Sequence, residues 1–295
     1  MGSIEDNKII VIRGGGDLAT GVAAKFYRAG FRVLILEITK PTAIRRAVAL
    51  SEAVYDGTAT VENITCHRVS DMSEAEECWN NGVVPLIVEP DGTQGDGSPV
   101  QHNRTVPLCL IDAIVAKRNT GTSRDMADIT IALGPGFTAG VDVDAVIETN
   151  RGNNLGRIIL DGQAEPNTGK PGEIAGESIR RVVRAPIAGT VSHIKQIGDI
   201  VKQGESLLTI TAAQVTQGDS SSAQHKRTVP LCSGVEVTAP ISGLLRGLIR
   251  NGSHVTQNMK IADIDPRTDI DWRKISDKAN RIGEATHKIF LTLSE

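Results

Sequence analysis

Apolar residues fall in short runs separated by glycines, prolines and polar links. Lys8 to Arg13 predicts a buried strand with Ile9, Ile10, Val11 and Ile12 as its core. Leu18, Val22 and Phe26 then recur at helical spacing, so a helix is predicted from near Asp17, ending at Gly30. "FRVLILE" predicts the second strand. Further strands are predicted over Ile64–Val69, Val83–Pro90 and Val106–Ile114, with a short helix from Ser73 to Trp79. "ITIALGPGFTAGVDVDAVIETNRGNNLGRIIL" continues as strand, glycine loop, strand, turn and strand.

The texture changes after Arg184. "RAPIAGTVSHIKQIGDIVKQGESLLTI" and "TAPISGLLRGLIRNGSHVTQNMKIADI" are two versions of one unit. Ala185, Gly189, Gly198 and Val201 match Ala239, Gly243, Gly252 and Val255 at a constant offset of 54. Short strands broken by glycine turns in two related halves predict a biotinyl/lipoyl-like barrel-sandwich. The chain closes with a predicted helix that places Ile275, Ala279, Ile282 and Ile289 on one face, with Ser276 as its N-cap. The expected fold class is therefore α/β: an N-terminal Rossmann-like domain over residues 1–184, followed by a small all-β barrel-sandwich domain with a C-terminal helix over residues 185–295.

Composition narrows the functions. The 295 residues are 40% hydrophobic and 23% charged, with a net charge of -3, so no global case exists for binding nucleic acid or an anionic membrane. No run reaches the ~18 apolar residues a bilayer span needs. The N-terminus lacks a signal-peptide pattern. Four cysteines, Cys66, Cys78, Cys109 and Cys232, form no C-x-x-C pair and fit a reducing cytoplasm.

The chemistry concentrates in "GGGDLA", Gly14 to Ala19, which matches G-x-G-x-x-G/A. Gly14 allows the sharp turn, and Gly15 lies between the two motif glycines. Gly16 lets backbone amides approach a diphosphate, and Ala19 is the small residue that lets helix and strand pack. The helix N-terminus then faces the anion. Glu37, about 20 residues on at the tip of the second strand, is the candidate for a ribose hydroxyl pair. Asp17 is a candidate N-cap, yet its charge would sit close to a diphosphate unless a metal or basic group intervenes. Lys40, Arg45 and Arg46 either contact a 2′-phosphate or another anion, or form a solvated face. Asp112, Lys117, Arg118 and Asn119 fall beyond a strand end, where a ligand sits in an open α/β sheet, or are a polar loop. Gly134 and Gly136 frame a loop small enough for close ligand approach. Neither loop is a P-loop.

Two further features invite a chemical reading. No M-K-M or D-K-A tripeptide lies between the two repeats, and Lys226 is the only lysine there, so neither biotin nor lipoate is expected. "TQGDGSPVQHNRTVPLC" (Thr93 to Cys109) and "TQGDSSSAQHKRTVPLC" (Thr216 to Cys232) agree at 13 of 17 positions. His102, Cys109, His225 and Cys232 would make a zinc set if the loops met. Tolerated surface insertions are the simpler reading, and no metal is expected.

"VIRGGGDLATGVA", "DAIVAKRNTGT", "LGPGFTAGVDVDAVIETNRG" and "AEPNTGKPGEIAG" together resemble the YqeB-like accessory proteins of selenium-dependent molybdenum hydroxylase systems. The resemblance implies a cytoplasmic maturation factor whose partners are the hydroxylase and other maturation factors. The bound group it implies is a nucleotide or a molybdopterin-type cofactor. Asn153 stands where the family pattern leads one to expect a histidine, which weakens acid/base or metal chemistry there. An NAD(P)-dependent oxidoreductase is the rival, without a Tyr-x-x-x-Lys pair to support it. A non-catalytic scaffold is the third reading.

Overall fold

The computed structural model describes residues 9–89, 107–169, 172–212 and 234–295. The described chain forms two compact units: Met1–Gly172 together with Asp271–Glu295, and Glu173–Ile270.

The first unit is built on one sheet. Its strands are β1 (Ile9–Arg13), β2 (Arg32–Ile38), β3 (Thr58–Val61), β4 (Ile64–Val69), β5 (Val84–Glu89), β6 (Cys109–Asp112), β7 (Ile129–Leu133), β9 (Ala145–Ile147) and β10 (Ile158–Ile159), with a separate pair formed by β8 (Thr138–Ala139) and β11 (Gly162–Gln163). The nine strands lie in the order β10-β9-β7-β6-β1-β2-β5-β4-β3. Strands β9 to β4 run parallel, while β10 and β3 close the two edges antiparallel. β1 reads "IIVIR" with every residue buried, because both faces of a central parallel strand are covered.

The helices are α1 (Asp17–Arg28), the four-residue α2 (Ala53–Asp56), α3 (Met72–Asn80) and α4 (Asp277–Leu293). Met72, Ala75, Cys78 and Trp79 of α3 pack on Ile9, Val11, Leu34 and Leu36. Asp71 caps this helix by accepting from the Ser73 and Glu74 amides at 2.8 and 3.0 Å. The opposite face holds Ile10, Ile12, Val33 and Ile35 under α1 and α4. These two helices come closest at two glycines, Gly21 and Gly283. A Cβ on Gly283 would lie 2.6 Å from the Gly21 carbonyl oxygen, and one on Gly21 would lie 2.7 Å from Ala279. Phe26, Phe31, His287 and Phe290 pack edge-to-face along the same seam.

The second unit comprises β12 (Val182–Arg184), β13 (Gly189–His193), β14 (Ile200–Val201), β15 (Ser206–Thr211), β16 (Val235–Thr238), β17 (Gly243–Leu248), β18 (His254–Val255) and β19 (Lys260–Asp265). They form two four-stranded sheets, β12-β19-β17-β14 and β16-β15-β13-β18. The repeat explains this arrangement. Each strand of one sheet has its counterpart at the same place in the other, and the halves exchange strands. Gly189 and Gly243 are equivalent, with φ near +159° and +156°. A Cβ on either would come within 2.3 Å of a carbonyl oxygen, that of Thr211 or Asp265.

The expected Rossmann-like domain followed by a small barrel-sandwich domain and a C-terminal helix does not hold. The first unit is a large mixed sheet with few helices. Among the described residues, only the β1–β2 and β4–β5 links carry a helix of nine or more residues. The links from β6 to β7 and from β7 to β9 hold a 3-10 turn and a short strand among the described residues. Their polar, glycine-containing sequences have no apolar period with which to cover the sheet. The cover comes instead from α4, so the expected division at Arg184 gives way to a chain that leaves the first unit after Gly172 and returns at Asp271. No described helix is long and apolar enough to cross a membrane.

The α1–α4 seam has a direct test. Gly283→Val should destabilise the protein by about 1–3 kcal/mol, because the side chain meets backbone that cannot yield. Lys288→Ala, on the exposed face of the same helix, should stay within about 0.5 kcal/mol of wild type. Urea unfolding followed by circular dichroism measures both. Equal midpoints for the two variants would show that the seam is not close-packed.

Candidate functional site

The carboxyl ends of β1, β2, β5 and β6 share one edge of the sheet, and the order of strands reverses at β1. The chain leaves β1 at Arg13 and turns at Gly14, whose φ of +92° favours glycine. The Gly14 amide donates to the Leu36 carbonyl at 2.7 Å. A Cβ on Gly14 would come within 3.1 Å of the Ala113 carbonyl oxygen, and one on Gly15 within 2.9 Å of the Ser51 amide nitrogen. Gly14 and Gly15 are thus glycines because protein packs against them. Gly16 differs: among the described residues, no atom lies within 4 Å of where its Cβ would be. Gly16 is also the N-cap of α1 and supplies no capping side chain. Ala19 is buried, as the small third position requires.

Glu37 bears on this turn directly. Its Oε2 accepts from the Gly15 amide at 2.7 Å and its Oε1 from the Ile38 amide at 2.9 Å. Burial raises its pKa above the ordinary carboxylate range, the two backbone amides lower it, and the charge of Glu89 raises it. The residue expected to hold a ribose therefore also holds the glycine turn in place. Asp17 does not cap α1. It pairs with Arg45, whose Nη1 lies 3.3 Å from Asp17 Oδ2, so a basic group does stand beside that charge. Lys40 is exposed.

On the neighbouring strand end, Asp112 and Arg13 are register partners. Arg13 Nη1 donates to Thr122 Oγ1 at 2.5 Å, Thr122 Oγ1 donates to Asp112 Oδ2 at 2.7 Å, and Arg13 lies 3.6 Å from Asp112. Asn119 shapes the loop that brings Thr122 there. Its Oδ1 accepts from the Gly121 and Thr122 amides at 2.9 and 2.8 Å. Burial raises the pKa of Asp112, against the Thr122 hydrogen bond and the Arg13 charge. Glu89, at the end of β5, is raised by burial and lowered by Arg13. One buried guanidinium thus serves Asp112 and Glu89, with Glu37 close enough to feel Glu89.

Lys117 and Arg118 are exposed in a loop where Val115 and Lys117 adopt φ of 57° and 64°. Gly136 lets this loop approach, since its Cβ would lie 2.5 Å from Arg118 backbone. Gly134 makes room for Thr149 in the same way. Cys109 is fully buried inside β6, and burial pushes its thiol far above the usual range. His102, Lys226, His225 and Cys232 lie outside the described residues. No group of three or more metal-ligating side chains occurs among those described.

Arg13, Glu89, Thr122 and Ser51 were not singled out from the sequence. Arg13 and Glu89 had a signal: each is a charge ending an apolar run that is otherwise buried. Thr122 and Ser51 had none, because contacts across loops bring them in.

No family model matches the chain. It is 44% identical over 278 residues to a protein named Uncharacterized protein YqeB from Escherichia coli (strain K12), a match over 94% of this chain and 46% of that one. This similarity supports a YqeB-like family. The chain spans about half the length of that relative. Among solved structures it is similar to an aspartoacylase family protein from Mesorhizobium loti, at 11% identity, covering 88% of this chain and 85% of the other, with a TM-score of 0.26. It is similar to a succinylglutamate desuccinylase/aspartoacylase from Rhodobacter sphaeroides at 13% identity, with the same coverage and TM-score. Likenesses this weak bear on neither fold nor chemistry.

Arg13 is the cation that opposes burial at Asp112 and Glu89, so Arg13→Met should raise both carboxyls further. A carboxyl with a raised folded pKa binds its proton more tightly folded than unfolded. Its contribution therefore falls as pH climbs from about 4 through the folded value. Relative to wild type, Arg13→Met should lose stability progressively across that window and be about 3 kcal/mol weaker at pH 7. Unfolding free energies measured from pH 4 to 8 check this. A difference independent of pH would remove Arg13 as the counter-charge.

Proposed function

We propose that this chain is a cytoplasmic accessory factor for a selenium-dependent molybdenum hydroxylase and that it holds a phosphate-bearing nucleotide at the turn between β1 and α1. NAD(P) and a molybdopterin dinucleotide are the two classes of ligand that would suit this turn. The observation that carries the ligand reading is Gly16. Of three consecutive glycines, Gly14 and Gly15 are required by protein contacts, while Gly16 borders open space at the N-terminus of a 12-residue helix. That end of a helix presents backbone N–H groups and the positive end of its dipole to an anion. The motif stretches support the pathway through their resemblance to the YqeB-like accessory proteins. Glu37 fits a role as hydroxyl acceptor, because each carboxylate oxygen has a lone pair beyond the one its backbone amide uses.

Gly16→Val should abolish nucleotide binding while leaving the melting temperature within a degree or two of wild type, because its side chain enters space that only the ligand fills. Gly15→Ala should instead lower stability, since its Cβ meets the Ser51 backbone. Glu37→Ala should weaken binding roughly 10- to 150-fold, the loss of a hydrogen bond to a charged group, and should also loosen the turn. Calorimetric titration with NAD, NADP, ATP, CTP and a molybdopterin dinucleotide, beside thermal melts, separates these effects. Undiminished binding to Gly16→Val would leave the glycines as a turn only. Turnover of NAD(H) would replace the accessory reading with an oxidoreductase.

A further inference from the structure

Three buried donors on two side chains beside the glycine turn have no partner among the described residues: Nε and Nη2 of Arg45, and the Ser51 hydroxyl. Buried polar groups in folded proteins are almost always hydrogen-bonded, so unpaired ones call for an explanation. The Arg45 side chain is 10% exposed, which rules out the solvated face that a basic cluster at Arg45 and Arg46 would ordinarily be. Its Nη1 is engaged by Asp17, in the first turn of α1, at 3.3 Å. That contact places the guanidinium at the helix N-terminus and leaves its other edge, Nε with Nη2, unused. This edge offers two parallel N–H donors, the fork that matches two oxygens of one phosphoryl group.

Ser51 borders the same turn. Its amide donates to the Gly15 carbonyl at 2.9 Å, and its Cβ would lie 3.2 Å from a Cβ on Gly15. The segment carrying both residues is held firmly. Val48, Ala49 and Leu50 are buried, and the Leu50 amide donates to Thr20 Oγ1 of α1 at 3.0 Å. Fixed donors that need no rearrangement on binding are those that hold an anion at low entropic cost.

We propose that Arg45 and Ser51 form a phosphoryl subsite at the N-terminus of α1, with the Nε–Nη2 edge of Arg45 taking two oxygens and the Ser51 hydroxyl a third contact. The proposal rests on the reading of the turn as a phosphate site and assigns the side chains that complete it. Asp17 acts as a positioning residue: it turns the guanidinium so that the fork faces away from the carboxylate.

The test is calorimetric titration of the full chain with inorganic phosphate, pyrophosphate, ADP and acetate, for wild type, Arg45→Gln, Arg45→Lys and Ser51→Ala. Spectra of wild type labelled with 15N-arginine run beside it. The expected result is that pyrophosphate and ADP bind to wild type, and that Arg45→Gln weakens both roughly 10- to 150-fold. Arg45→Lys, which keeps the charge and loses the fork, should fall between the two. Ser51→Ala should cost roughly 2- to 10-fold. An Arg Nε–H resonance that is lost in Arg45→Lys should shift on adding pyrophosphate to wild type. That measurement decides the matter even where Arg45→Gln fails to fold. If wild type binds the phosphate probes, but the variants bind equally and no Nε–H resonance moves, the assignment to Arg45 and Ser51 falls while the turn reading stands. If acetate binds as tightly as phosphate, the subsite takes carboxylates and the phosphoryl assignment is wrong. Absence of any binding to wild type overturns both readings.

Discussion

The covering of the sheet's two faces is the constraint on which the first unit depends. Strands such as β1 and β7 are buried along their whole length, so each face must lie under other chain. Helix α3 covers part of one face. The other needs two helices, and the links from β6 to β7 and from β7 to β9 contain no amphipathic stretch to provide the second. The last 19 residues do so. Their helix can lie close to α1 because Gly21 and Gly283 remove the side chains at the crossing. That close contact sets where α1 sits, and hence where Gly16 and the first turn of the helix face.

The edge of the sheet shows how the same packing creates chemistry. Arg13, Asp112 and Glu89 end strands that are otherwise apolar, so all three are buried and compete for one another. A single guanidinium beside two carboxyls leaves both acids above their ordinary range, and Glu37 is raised as well. Such a group of acids is strongly responsive to any charge placed next to it. The glycine turn lies between this cluster and the segment bearing Arg45 and Ser51. An anion bound at Gly16 would therefore meet a cation and backbone amides on one side and buried carboxyls with raised pKa on the other.

The second unit follows a different logic. Its two sheets are related by the 54-residue repeat, and each half donates strands to both. The exchange makes neither half independent: β15 of the first half pairs with β16 of the second, and β12 with β19. Gly189 and Gly243 recur because each sits where a strand passes against the carbonyl that ends its partner strand, leaving no room for a Cβ.

The sequence by itself determined the local elements and the motif. The runs at Ile9, Val33, Ile64, Val84 and Ile129 became strands within one or two residues of expectation, because a short apolar run between turn residues has few alternatives. α1, α3 and α4 were legible from their apolar spacing, and the glycine turn and the repeat from identity alone. What the tertiary structure decided was which elements face each other. Periodicity says that the last helix has an apolar face, but not that this face seals the first sheet through Gly21. Spacing places Glu37 at a strand tip, but not that its carboxylate grips the Gly15 amide. Arg45 was one of three cations that could either contact an anion or form a solvated face until the fold buried it beside Asp17. Thr122 and Ser51 gave no signal, because their roles arise from loops that meet across more than 30 residues of chain or from a turn clamped by a neighbouring helix. Local propensity is written residue by residue. Burial and partnership belong to the packed whole, and at this edge of the sheet they decide which side chains can act.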